Sequence, residues 1–186
     1  MAMTKTYLSA DELAGAFPVV LRQDALKACA AFRTVRTLGR SFSVRIGDES
    51  VTIPYRVHFD PPLIRLLFLT SPQRELADCL LTRHTDGFVR QRHLARILGL
   101  SRNWMPPFVI QLTGEYVVEI LRVISQSLPL LDSAVYREFI LRNPAFLDLT
   151  EQRIISYWDC YYRDQGREEY VGFKILRFLR SLQLQA

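Results

Sequence analysis

Two runs of alternating residues near the first third of the chain constrain the fold most strongly. Polar and apolar residues alternate in FSVRI, and after the loop GDES apolar residues recur at every second position over residues 51–59. A period of two predicts strands with one buried side, and the short polar loop predicts a β-hairpin over residues 41–59. Pro54 falls on the predicted polar side, where it marks an edge strand or a bulge.

The rest of the chain has the spacing of helices. Ser9 followed by Glu12 is a capping-box pattern, which predicts a helix over residues 10–38 that Pro18 kinks or divides. Apolar residues at three- and four-residue spacing predict a helical bundle over residues 62–183. We therefore predict a mainly α (α+β) fold, a compact multi-helix domain with one β-hairpin.

Length and composition predict one domain over residues 1–186. The chain has 186 residues, of which 49% are hydrophobic and 23% charged, which is ordinary for a globular protein of this size. It contains neither a low-complexity run nor a Gly/Ser linker at which it could be divided.

Cysteine usage and the N-terminus predict the compartment. Cys29, Cys79 and Cys160 are odd in number and far apart, which fits neither a disulfide framework nor a CxxC zinc site. They are expected to be buried free thiols in a reducing compartment. The first 17 residues lack the apolar core of a secretory signal, and the longest apolar region carries charges. We expect a cytoplasmic protein without a membrane span.

The segment LLTRHTDGFVRQRHLARILGL carries the strongest candidate for a binding surface. Residues 83–102 contain five arginines and a single acid, Asp86. At about 100° per residue, the basic side chains gather opposite the apolar ones. The predicted partner-binding residues lie on this segment and in the loop after it: Arg83, Arg92, His93, Arg96, Arg102 and Trp104. The alternative is a solvated face, or pairing with acids elsewhere in the chain.

A protein partner is the predicted function of this surface, without catalysis and without a cofactor. The adjoining loop NWMPPF is apolar, which suits a protein interface. Nucleic-acid binding through phosphate contacts is the alternative, since the net charge is +5 and the pI about 9.3. That charge counts for less because 21 of the 24 basic residues are arginine and 3 are lysine, a bias that GC-rich genomes produce.

An enzyme is the third hypothesis. Glu115 and Glu119 lie four residues apart in a predicted long apolar helix that begins at Pro106, so they are expected to face the same way. With His84 they form a possible polar site for acid–base chemistry or a metal. The favoured interpretation is that these carboxylates pair with arginines of residues 83–102, because a charge near a core is costly unless it is paired. No metal is predicted, since the three histidines have no metal-ligand spacing. The glycine loops that bind phosphate groups are also absent from the sequence, which argues against the common kinds of nucleotide-dependent enzyme.

Later helices carry further capping patterns. Asp132 is predicted to start a helix that ends at Asn143, and Asp148 with Glu151 is predicted to cap the next helix, which ends at Gly166. The aromatic run YWDCYYRD in that helix is expected to be half-buried, with base stacking as the alternative.

Overall fold

The computed structural model describes residues 6–32, 35–37, 40–59 and 63–184. The fold is mainly α with a β-hairpin, as the sequence predicts. Contacts between residues divide the chain into two compact units, residues 1–96 and 97–186. The predicted single domain over residues 1–186 stays a prediction.

The first unit combines two small antiparallel sheets with helices. Its elements are β1 (Thr6–Leu8), α1 (Ala10–Ala14), a 3-10 turn (Val19–Leu21), α2 (Arg22–Ala30), β2 (Val35–Thr37), β3 (Ser41–Ile46), β4 (Glu49–Pro54), β5 (Val57–His58), α3 (Leu63–Leu66), α4 (Ser71–Leu81) and α5 (Gly87–Ile97). One sheet has the strand order β1-β2-β5 and the other is the β3-β4 hairpin. Helix α2 packs against α1 and α4.

The hairpin has the predicted register over most of its length. Strands β3 and β4 pair antiparallel around Gly47, whose φ of 58° is the left-handed conformation that suits glycine. Val51 and Ile53 are buried, whereas Thr52 is exposed. The predicted range of 41–59 is too long, because the chain leaves the hairpin after Pro54 and β5 pairs with β2 in the other sheet. Pro54 is buried and not on a polar face.

The predicted helix over residues 10–38 is confirmed in part, as two helices on either side of Pro18, and is wrong after Ala30. Its start is confirmed, since the Ser9 hydroxyl accepts from the Glu12 amide at 3.2 Å and the Glu12 carboxylate accepts from the Ser9 amide at 2.8 Å. The helix then ends at Ala14, ahead of Pro18, and α2 ends at Ala30. The following β2 contains two β-branched residues, which favour a strand. The predicted stop at Gly39 lies outside the described residues.

The second unit is helical throughout its described elements. These are α6 (Pro106–Thr113), α7 (Val118–Ser127), a 3-10 turn (Leu128–Leu130), α8 (Ser133–Arg142), α9 (Pro144–Tyr161) and α10 (Val171–Leu184). Helix α10 packs against α7 and α8, and α6 packs against α7, α8 and α9. The consecutive pairs α8–α9 and α9–α10 are also in contact.

One of the two predicted caps in this unit is wrong. Asp132 caps α8 as predicted, since its carboxylate accepts from two amides of the first turn at 3.1 and 3.2 Å. Asp148 lies inside α9, which already begins at Pro144. Asp148 and Glu151 instead bind Arg180 of α10, with Asp148 at 2.6 Å. Residues three apart lie on one side of a helix, so the same spacing that predicts a cap also provides this clamp.

Two observations concern the expected compartment, namely the burial of the cysteines and the lengths of the helices. Cys29 and Cys79 are buried as predicted, whereas Cys160 is exposed. Burial raises the pKa of the Cys29 thiol to about 12. Within the described ranges, none of the helices is both long and apolar enough to cross a membrane.

A pair of substitutions tests the hairpin register. Ile53→Asp places a carboxylate at a position with 0% exposure, and is expected to lower the free energy of unfolding by more than about 3 kcal/mol or to prevent folding. Thr52→Asp adds the same charge at the next, exposed position, and is expected to change it by less than about 1 kcal/mol. Urea denaturation measures both, and equal losses would show that the register is misassigned.

A pair of glycines tests the packing of the second unit. A Cβ at Gly172 would lie 2.5 Å from a ring carbon of Tyr170 and 3.0 Å from a methyl group of Ile154. Gly172→Ala is therefore expected to cost about 1–3 kcal/mol of unfolding free energy through overpacking. At Gly166 a Cβ would meet nothing within 4 Å, so Gly166→Ala is the matched control and should leave the melting temperature nearly unchanged. A stable Gly172→Ala variant would contradict the described packing.

Candidate functional site

Helix α5 brings together three of the residues predicted to bind a partner. Arg92 and Arg96 are exposed, and His93 between them is 4% exposed. The helix begins at a local cap, in which the Asp86 carboxylate accepts from the Phe88 amide at 2.8 Å. Leu94 on the opposite side is buried, whereas Phe88 is 80% exposed. The predicted division of α5 into a basic and an apolar side is therefore confirmed at Leu94 and wrong at the apolar Phe88.

A buried acid of α4 fixes the orientation of α5. The carboxylate of Asp78, which is 6% exposed, accepts a hydrogen bond from His93 Nδ1 at 2.5 Å. Nη1 of Arg96 lies 3.5 Å from the same oxygen. A buried carboxylate needs such partners because its desolvation is otherwise uncompensated. His93 is thereby held with Nδ1 towards Asp78, and its Nε2 makes no hydrogen bond to a described residue.

A cleft of about 290 Å³ opens beside this basic side of α5. Its walls carry two kinds of side chain, cationic and aliphatic, contributed by α5, α4 and the α3 region: Arg74, Arg92, His93, Arg96, Ile64, Leu66 and Leu67. Arg74 donates to the Leu67 carbonyl at 3.4 Å, which links α4 to the chain after α3. Arg92 forms no ion pair with any described residue. The cleft therefore offers positive charge beside an apolar wall.

Three other predicted binding residues do not belong to this surface. Arg83 has 0% exposure and Trp104 6%. The sequence predicts both residues on an exposed binding surface, and their burial contradicts that placement. Arg83 follows directly on α4, and its carbonyl accepts from the Val57 amide at 2.9 Å. Arg102 is exposed but belongs to the second unit. The binding role of Arg92, His93 and Arg96 stays a prediction.

His84 has a structural role in the first unit. Its Nε2 donates to the Phe59 carbonyl at 3.0 Å, and its Nδ1 accepts from the Asp86 amide at 3.0 Å. Both ring nitrogens are therefore in use. Arg90 reinforces the same loop, since its Nη1 donates to the carbonyls of His84 and Thr85, each at 2.9 Å. The arrangement leaves the His84 ring without a nitrogen for substrate or metal.

The two carboxylates predicted to face the same way lie in different elements. The predicted long helix from Pro106 is broken: α6 ends at Thr113 and α7 begins at Val118. Glu115 lies in the connection and is buried, whereas Glu119 lies in α7 and is exposed. The prediction that the two carboxylates face the same way is wrong, because a four-residue spacing places side chains on one face only within a continuous helix. The predicted ion pairs of these acids with arginines of residues 83–102 stay predictions.

The break in that helix has a packing cause. At Gly114 a Cβ would lie 3.1 Å from the Cβ of Arg153 in α9, so the backbones of α6 and α9 approach closely there. Arg153 also donates to the Gln111 side chain at 3.0 Å. Glycine permits this approach because it has no Cβ. Propensity within the segment could not reveal this, because the cause is a contact with a helix about forty residues away.

The sequence reasoning missed the acid and the apolar wall of the cleft. Asp78 stands in the otherwise apolar stretch LADCLL, and a lone acid in such a stretch is a signal that a buried partner exists. Arg74 and the aliphatic residues after β5 carry no comparable signal. Among the described residues, no group of three His, Cys, Asp or Glu is placed to hold a metal ion.

Comparisons with known proteins give no further information on this site. No family model matches the sequence, and neither the curated proteins nor the solved structures contain a significant match.

The pH dependence of stability tests the placement of His84. Burial is the main cause that lowers the pKa of His84 from 6.5, and the nearby His58 and Arg90 add to it. The unfolded ring therefore takes up a proton at a higher pH than the folded ring does. The stability that the neutral His84 ring contributes is present above pH 6.5. It is lost as the pH falls towards the pKa of His84 in the folded protein.

His84→Gln keeps a donor for the Phe59 carbonyl but cannot titrate. Chemical denaturation between about pH 5 and 7.5 is expected to show a smaller fall in unfolding free energy for this variant than for the wild type. The same slope in both proteins would contradict the burial and bonding described for the ring.

Proposed function

We propose that the protein is a non-catalytic interaction module that binds a protein partner at the cleft beside α5. The observation that carries this proposal is the combination of Arg74, Arg92 and Arg96 with an aliphatic wall in one exposed cleft. Guanidinium groups recognise carboxylates through a planar fork, and aliphatic side chains gain by being removed from water. A polypeptide with acidic and apolar side chains supplies both complements.

The apolar surface beside the cleft favours a protein over a nucleic acid. Ile64 is 65% exposed, Leu67 66% and the following Phe68 82%. Ile64 and Leu67 line the cleft together with the arginines. Exposed apolar side chains beside arginines are typical of protein-binding surfaces, in which apolar anchors supply most of the affinity. A phosphate backbone would satisfy the arginines but would leave these three side chains in water. Nucleic-acid binding is therefore the outcome that the test below must distinguish.

Asp78 supports the proposal by making the surface rigid. Since His93 and Arg96 both bind one buried carboxylate, the partner meets side chains that are already ordered. Ordering before binding lowers the entropic cost of association. The free thiols Cys29 and Cys79 suit a reducing compartment, so we place the module in the cytoplasm.

A displayed library of random dodecapeptides with free C-termini tests the function. Peptides selected on the wild type are expected to contain acidic and apolar residues and to lose about tenfold in affinity with Arg92→Ala, since a charged contact at an anchor contributes about 1–2 kcal/mol. Arg163→Ala removes the same charge from an exposed ion pair of the second unit and is the matched control. It should leave the affinity unchanged.

Nucleic-acid binding would give a different result in these experiments. If no selected peptide distinguishes Arg92→Ala from Arg163→Ala, while a 20-base-pair duplex binds with a submicromolar dissociation constant that rises steeply with salt, the surface serves nucleic acid. That result would overturn the proposal.

A further inference from the structure

The size of the cleft limits what part of a partner can enter it. Its volume of about 290 Å³ lies just below the range of about 300–1,000 Å³ found for small-ligand sites. One terminal or side-chain group fits such a space, whereas a whole helix face does not. The partner is therefore expected to be anchored by a single residue.

The charges of the cleft define one end of that residue. Among the described residues, the one acid bonded to the lining residues is Asp78, which is already engaged by His93 and Arg96. Arg92 has no acidic partner among the described residues, and Arg74 donates to a backbone carbonyl. The ligand is expected to supply the missing anion, and a carboxylate matches the guanidinium fork.

The aliphatic wall defines the other end of that residue. Ile64, Leu66 and Leu67 line the same small space as the arginines. The carboxylate and an apolar group must therefore lie within the span of one residue. In a polypeptide, the last residue is the position at which a carboxylate and an aliphatic side chain share one Cα atom; an internal Asp or Glu carries no aliphatic group of its own beyond its short stem.

We propose that the cleft binds the C-terminus of a partner polypeptide whose last residue is aliphatic or aromatic. The terminal carboxylate lies between Arg92 and Arg96, and the last side chain lies against Ile64 and Leu67. The residues before it lie towards Phe68, which follows Leu67 in the chain and is 82% exposed. This inference rests on the proposed function and specifies which part of the partner is recognised.

The test compares three probes by NMR titration of the isotope-labelled full chain. The first is a pool of N-acetylated hexapeptides that end in Leu, Ile or Phe with a free carboxylate. The second is the same pool amidated at the C-terminus, and the third is N-acetyl-L-leucine. Free-acid peptides are expected to shift the resonances of α5 and of the Arg92 side chain, and to bind at least tenfold more tightly than the amides.

Variants assign the two halves of the site. Arg92→Ala should abolish the difference between acid and amide, whereas Leu67→Ser should weaken the acid pool at least threefold and keep the difference. Arg163→Ala, in the second unit, should change neither. Circular dichroism melts verify that each variant is folded, and Arg92→Lys, with its positive charge but no fork, should bind the acid pool with intermediate affinity.

Each contrary outcome has a distinct meaning. Equal binding of acid and amide pools would overturn the C-terminal proposal but would leave a protein-binding function standing on the library selection. Binding of N-acetyl-L-leucine as tightly as the hexapeptides would show a site for small carboxylic acids and would overturn recognition of a chain. If neither hexapeptide pool binds while library peptides do, the C-terminal proposal fails and the proposed function remains.

Discussion

The carboxylate of Asp78 is the group on which the arrangement of the candidate site depends. It is buried in α4, and α5 supplies both of the partners that compensate its charge, His93 and Arg96. Because a buried carboxylate left without partners costs about 3–5 kcal/mol, α5 is strongly favoured in the position that provides them. In that position Arg92 points into the cleft beside the two partners of Asp78.

A second set of interactions, all hydrogen bonds, joins the loop between α4 and α5 to the strands. Around His84, backbone and ring bonds connect the α4–α5 loop to β5 and to Phe59, and Arg90 holds the loop carbonyls. The cleft therefore lies on a framework that is bonded at both the helix and the strand side. A binding surface built on ordered elements loses little entropy when a partner binds, which agrees with the proposed interaction function.

Local patterns in the sequence predict the elements better than they predict contacts between them. The strand period predicts the hairpin core, and helical spacing predicts the basic side of α5. Arg83 is different, because the sequence places it on that side although it follows the end of α4 and is buried. Asp78 is missed for a related reason: its importance comes from its partners His93 and Arg96, which lie in the next helix. Likewise, the close approach at Gly114 that ends α6 depends on α9 and leaves no mark in the local spacing.

The position of the proton on the His93 ring tests the central claim, that Asp78 orients α5, most directly. Long-range ¹H–¹⁵N correlation spectra of the folded protein at neutral pH would assign it. The account predicts a proton on Nδ1 that exchanges slowly with water because Asp78 accepts it, and the loss of that protection in Asp78→Ala. A ring with its single proton on Nε2, or an Nδ1 proton that exchanges equally fast in both proteins, would contradict it.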